Sequence, residues 1–308
     1  MTLATILAAV TIAFPKEGAV LPSLSRCYVI GATSGDETEL TISTVSSVAA
    51  VSHVSVSQTG AWGTLIDVAP GTNVVEVGDC RRTFVVEQPS NPPKPSNPPK
   101  PYLKLPYAQD KPAKHESGRK PMEIAIAIDA GHGGADAGAV SPHGLPEKDA
   151  NLRLAKAVAA KLEKRGYRVL MTRTGDGTLE LYDRPKEAHA VKADVFVSIH
   201  HNAPGYEQDP TQCRHQSVYA WNAAGERLAK AIVARMEKAR PDLPSKGALH
   251  ANFAVTRSPE IPSCLVEADF ITHPEGERAT WDPVEREKCA TAIADGIFDI
   301  IISQKGNN

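Results

Sequence analysis

The 308-residue sequence predicts a small all-β sandwich, a proline-rich linker, and then an α/β domain with a mostly parallel sheet flanked by helices. Three observations carry this reading. Residues 14–88 are filled by short β-branched runs broken by Gly, Pro and Asp, the spacing of a sandwich. Residues 89–121 hold 10 prolines among 33 residues, a composition that suits a spacer better than a packed core. From Met122 to residue 304, strand-like runs alternate with helical patterns, the order that builds a parallel sheet covered on both faces.

Composition narrows the function classes. With 34 Lys+Arg against 36 Asp+Glu, a formal net charge of -2 argues against a general nucleic-acid binder. Hydrophobic residues at 42% supply at least one sizeable core and exclude disorder throughout. The apolar run Thr2 to Phe14 falls short of the roughly 18–20 residues a membrane-spanning helix needs, so no membrane span is expected. Residues 1–13 have the length and small-residue ending of a signal-peptide core, with Thr11-x-Ala13 as the cleavage site. No Lys or Arg precedes that core, and a first β-strand is the competing reading.

In the β region the expected strands are Arg26 to Ile30, Glu39 to Thr44, Val51 to Ser57, Thr64 to Val68, Asn73 to Val77 and Thr83 to Val86. Gly60-Ala61-Trp62-Gly63 with Pro70-Gly71-Thr72-Asn73 resembles the closing hairpin of bacterial immunoglobulin-like modules, which space or attach a catalytic unit. Cys27 and Cys80 both fall here. A disulfide between them would close a long loop and contribute roughly 3–4 kcal/mol if the geometry allows. Cys213, Cys264 and Cys289 form an odd set without metal-finger spacing. The linker repeats Ser-Asn-Pro-Pro-Lys-Pro at 90–95 and 96–101 and carries seven Lys/Arg against Asp110 and Glu116, a basic surface for contact with an anionic wall polymer or simply for solvation.

In the α/β region the expected strands are Glu123 to Asp129, Tyr167 to Thr172, Asp194 to His200, Ser217 to Trp221, Phe253 to Thr256 and Ser263 to Glu267, with helices starting near Asp149, Glu180, Ala223 and Val284. Leu154, Val158 and Leu162 recur every four residues, and Gly166 is placed to end the first helix. Chemistry in such sheets sits beyond the carboxyl ends of the strands. At those ends stand His132 in a glycine-rich turn, Glu147 before a helix, His200-His201-Asn202, and Glu267 after an apolar run. Each has an ordinary structural reading: a loop histidine, a helix-dipole carboxylate, a strand-end pair of which only one faces the cleft. Together they fit a zinc site, with three His/Glu ligands, an open position for water and an unligated Glu as base.

Several motifs then arrive in order: Asp129-Ala130-Gly131-His132-Gly133-Gly134 with Asp136-Ala137-Gly138, Glu147 with Asn151-Leu152, Met171-Thr172-Arg173, Arg184, Ala193 to Asn202, and Ile261 to Ile271. Over Met122 to about Ser303 the sequence resembles the zinc-dependent N-acetylmuramoyl-L-alanine amidases of the amidase-3 type. The resemblance implies zinc held by His132, Glu147 and His200, with Glu267 as the catalytic base. It implies peptidoglycan as substrate, cleavage between the sugar strand and the stem peptide, and a location in the periplasm or cell wall. Arg184, Asn202 and His201 are candidates for substrate contact. His201 stands where relatives carry a small residue, and Asp269 where they carry Gly. Some relatives plug the cleft with a long helix after the histidine strand; here Ala203 to Gln216 is short and contains Pro204, Gly205 and Pro210, which predicts an open site. The competing functions are a zinc peptidase acting on the stem peptide and an inert wall-binding protein.

Overall fold

The computed structural model describes residues 9–45, 49–89 and 120–303. The proline-rich repeat and most of the first 13 residues lie outside the described residues.

The β module is built from β1 (Val10–Phe14), β2 (Val20–Leu21), β3 (Arg26–Thr33), β4 (Glu39–Val45), β5 (Ala50–Ser55), β6 (Ala61–Asp67), β7 (Gly71–Val77) and β8 (Cys80–Val86). They form a three-stranded sheet ordered β1-β3-β6 and a five-stranded sheet ordered β2-β8-β7-β4-β5. Strand alternation turns Cys27 and Val29 of β3, Ile42 of β4, Trp62 and Ile66 of β6, Val75 and Val77 of β7 and Phe84 of β8 into one shared buried cluster. This module starts earlier than the sequence predicts. Val10–Phe14 pairs antiparallel with β3 and buries Ile12, so cleavage after Ala13 would remove most of a paired strand. The stretch with the composition of a signal-peptide core thus includes, from Val10 on, a paired strand. Cys27 and Cys80 are separate thiols; both pack on the sandwich core without a bond between them.

The α/β domain comprises β9 (Ala125–Ala130), α1 (Glu147–Lys164), β10 (Arg168–Met171), α2 (Asp183–Ala190), β11 (Val195–Asn202), β12 (Gln216–Ala220), α3 (Ala223–Ala239), β13 (Ser245–His250), β14 (Ser263–Phe270), α4 (Pro274–Trp281) and α5 (Pro283–Ser303). The sheet order is β10-β9-β11-β14-β12-β13, with one antiparallel pairing, β12 against β14. Period-two alternation sorts the two faces. Ile126, Ile128, Val195, Val197, Ile199, Cys264 and Val266 pack under α1, α3 and α5, while Ala127, Phe196 and Leu265 face Ala188 of α2 and the Val255–Ile261 segment. Leu154, Val158 and Leu162 are the buried stripe of α1, and Gly166 follows it at φ 85°, a left-handed conformation that releases the chain into β10.

Two local expectations are corrected. The strand expected over Phe253 to Thr256 is a short 3-10 turn at Ala254–Thr256, and the edge strand is instead Ser245–His250, whose polar, half-buried pattern lacks the apolar alternation of a central strand. A separate helix, α4, precedes α5 and begins at Pro274, where proline suits a helix's first turn.

Candidate metal centre

Three chain segments bring His132, Glu147 and His200 together at the carboxyl end of the sheet. One ligand atom from each lies within 4.8 Å of the others. His132 sits in the turn after β9 at φ 60°, with Gly133 and Gly134 also at positive φ, a reversal that aims its ring back over the sheet. His132 Nε2 lies 3.2 Å from Glu147 Oε1, and His200 Nδ1 lies 3.1 Å from the same oxygen. The two rings meet edge to face with centroids 4.9 Å apart. Gly131 makes the approach feasible, because a Cβ there would overlap the His200 imidazole.

The supporting shell is dense. His132 Nδ1 faces Asp136 Oδ2 at 2.8 Å, which leaves Nε2 for the centre. Glu147 is buried in the first turn of α1, where its Oε2 accepts from Ala139 N at 3.0 Å and its Oε1 accepts from Asn151 Nδ2 at 3.0 Å and from His201 N at 3.2 Å. Asn151 Oδ1 in turn contacts His201 Nδ1 at 2.8 Å. Beneath the His132 turn, Asp129 is fully buried and accepts from Thr172 Oγ1, Ser198 Oγ and Arg184 Nη1. Arg173 donates to the carbonyls of Ala130 and Gly131, and Arg184 to those of Ala130 and His132. Two buried guanidiniums thus fix the backbone of the turn by its carbonyl groups.

Electrostatics follow from this packing. Burial opposes ionisation of Glu147, yet hydrogen bonds from His132 and His200 hold its carboxyl well below the usual range. Burial likewise disfavours a charge on His132, but Glu147 and Asp136 outweigh it and lift its pKa to about 9. The pocket is therefore tuned to hold positive charge. His201 is the reverse case: burial pushes it down to about 4, so it is a neutral residue at ordinary pH.

Glu267 of β14 pairs in register with His200 on one side and with Ser217 of β12 on the other. Its Oε2 is buried without a hydrogen-bond partner among the described residues. Burial first, and then the charge of Glu147, raise its pKa well above that of an ordinary carboxyl. A carboxyl group on the strand beside the triad has the chemistry to exchange a proton with a group bound there.

A family model described as N-acetylmuramoyl-L-alanine amidase matches residues 126–299, more than half of the chain. The chain belongs to the N-acetylmuramoyl-L-alanine amidase family. It is similar to the amidase AmiA of Salmonella typhimurium, 34% identical over 242 residues that cover 64% of this chain and 81% of AmiA. Among solved structures it is similar to the amidase AmiC2 of Nostoc punctiforme (33% identity, TM-score 0.55, 58% of this chain and 98% of that one) and to the amidase of Clostridium difficile 630 (30% identity, TM-score 0.55, 58% and 97%). The chain is an amidase, with the catalytic fold confined to its second unit.

Within this amidase the three weaker site candidates each make contacts to other residues of the chain. Arg184 is buried, and its guanidinium donates to Asp129 Oδ1 and to the carbonyls of Ala130, His132 and Leu179, contacts that tie it to the His132 turn. His201 points behind the triad, into a cavity of about 10 Å³ shared with Arg240 and Asp269. Asn202 caps the next residue through Oδ1, which accepts from Ala203 N, and its carbonyl accepts from Ile271 N, a loop-anchoring role. Asp269 is buried and accepts a two-pronged bond from Arg214 Nε and Nη2, both at 3.1 Å. Sequence reasoning placed Asp136 and Asn151 within motifs but gave neither a role at the site. Their signal was available: Asn151 lies four residues after Glu147, on the same face of α1, and Asp136 lies four after His132 in the same turn. No helix of the described residues is long and apolar enough to cross a membrane.

Proposed function

We propose that the chain is a zinc-dependent peptidoglycan amidase that works outside the cytoplasm, in the periplasm or cell wall, and hydrolyses the amide between N-acetylmuramic acid and the L-alanine of the stem peptide. The observation that carries the reading is the convergence of two imidazoles and one carboxylate beside Glu267, whose Oε2 is buried with no hydrogen-bond partner among the described residues. That donor set, two nitrogens and one oxygen with room for a non-protein ligand, is one that Zn²⁺ favours. His132 Nε2, Glu147 Oε1 and His200 Nδ1 are the atoms that would hold it. Zinc bound there supplies Lewis acidity toward water and the scissile carbonyl.

The chain's own residues do the rest. Glu267 accepts the proton of the attacking water and returns one to the departing amine of L-alanine, which balances the hydrolysis. Asp136 fixes the His132 ring, Asn151 fixes Glu147, and Arg173 with Arg184 keep the His132 turn rigid. The short loop Ala203–His215 contains no helix, which supports a cleft active without a separate activator. The β module, whose two-sheet build is consistent with an immunoglobulin-like domain, and the basic linker are proposed to lie against the wall polymer.

Mass spectrometry of purified peptidoglycan incubated with the full chain tests this reading. Intact stem peptides with new L-alanine amino termini, formed with zinc and lost with chelator, are the expected products. Cleavage inside the stem peptide would replace the amidase by a peptidase, and no cleavage with zinc present would leave an inert wall-binding fold.

A further inference from the structure

The β module touches the catalytic domain at the two segments that bracket the triad. On one side is the loop that leaves β11 after His200. Tyr28 N of β3 donates to Tyr206 O at 2.8 Å, and Glu207 Oε1 accepts from Ser25 N at 2.9 Å and Ser25 Oγ at 3.2 Å. The Tyr206 ring stacks on Phe14 with centroids 5.6 Å apart and planes inclined by 7°, and Phe14 stacks on Tyr28 at 4.7 Å. This contact has a structural origin in the sandwich. β1 pairs with β3 only from Ile30 to Thr33, so the earlier part of that β3 edge lacks a strand, and the Tyr206 carbonyl takes up a donor there. Pro210 lies against Gly63 of β6, where a Cβ would come within 3.1 Å of its ring.

On the other side is the loop that leads into Glu147. His143 Nδ1 lies 2.7 Å from Glu277 Oε2 of α4, and His143 Nε2 lies 3.1 Å from Thr59 O of the β module. Residues 90–119 separate the two units, chain enough to reach about 90 Å when extended, so covalent connection alone does not impose these contacts. A tether of that kind instead raises the local concentration of the module toward the millimolar range, where a modest interface suffices.

We propose that the β module is a docked clamp of the catalytic domain, gripping the loop after His200 through Tyr206 and Glu207 and the loop before Glu147 through His143, and so holding both segments that position the triad. The partner of this catalytic-domain surface is the chain's own first unit. The wall contact proposed above then has to use other faces of the module than the Phe14, Ser25 and Tyr28 edge.

Hydrogen exchange on the full chain tests the clamp, with the Glu207→Ala and Tyr206→Ala variants compared with the unaltered protein. Glu207 is exposed at the rim, so its truncation leaves both cores intact; protection in β7 and β9 verifies this in each variant. The clamp predicts about tenfold faster exchange of the Tyr28 amide in either variant, together with faster exchange across 203–215. Unchanged rates at both places in both variants would overturn it, and so would acceleration at Tyr28 with the loop unaffected. Exchange is read without substrate or added metal, so failure here is distinct from failure of the amidase reading.

Discussion

Asn151 is the residue through which the account of the metal centre is most exposed to test. Its Nδ2 donates to Glu147 Oε1 at 3.0 Å and to Gly131 O at 3.3 Å, and its Oδ1 meets His201 Nδ1 at 2.8 Å. Truncation to Ala removes all three. Gly131 O keeps Arg173 Nη2, and Glu147 keeps Ala139 N and His201 N, so the loss at the centre is one bond to an ionised carboxylate. Such a bond contributes about 1.5–3 kcal/mol, and loss of a residue that orients a ligand weakens metal binding by about 10- to 100-fold. His201 Nδ1 is left buried without its partner, which costs about 1–3 kcal/mol of folding stability. Competition for zinc against a chromogenic chelator measures the first effect and thermal melting of the metal-free protein the second. Zinc affinity unchanged within about twofold, with only the melt lowered, would reduce Asn151 to scaffold and refute the orienting role.

Three further outcomes follow from the same structure. Leu162→Ala removes a fully buried side chain from the α1 stripe and should destabilise the α/β domain by about 2–5 kcal/mol in denaturant melts. Gly131→Ala puts a Cβ into the His200 ring, so zinc binding should fall sharply in titration calorimetry while the far-ultraviolet spectrum is kept. The bond from Glu277 raises the His143 pKa, against a smaller opposing effect of burial. Its stabilisation is therefore complete below the unfolded value of about 6.5 and is lost as pH rises through the higher folded value. Melting curves between pH 6 and 9 should show this decline, and His143→Gln should make it shallower, leaving the part due to His132, whose pKa is also raised.

The α/β order was legible because its cues are local and repeated: the Leu154, Val158 and Leu162 stripe, the continuous apolar run of β9, and the Gly166 stop each point to one element. The triad was legible because its members lie at element ends, where few structural duties compete for a His or Glu. What escaped the sequence depends on contacts far along the chain. β13 is half-buried at the sheet edge and carries no strict alternation, so its pattern resembles a loop. Arg184 and His201 looked available for substrate, and only folding brings Asp129 and the His132 carbonyl to the first and Asn151 to the second. β1 was not separable from a leader because an apolar, small-residue run suits a signal core and a buried strand equally well, and its pairing with β3 is a contact between distant residues.

Zinc binding and turnover measured on the same Glu267→Gln protein test the central claim most directly. With His132, Glu147 and His200 as the ligands and Glu267 as the proton carrier, the variant should bind one zinc as tightly as the unaltered chain and release stem peptide about 10²- to 10⁴-fold more slowly. Loss of zinc from this variant would make Glu267 a ligand and contradict the division of roles, and an undiminished rate would remove it from the chemistry.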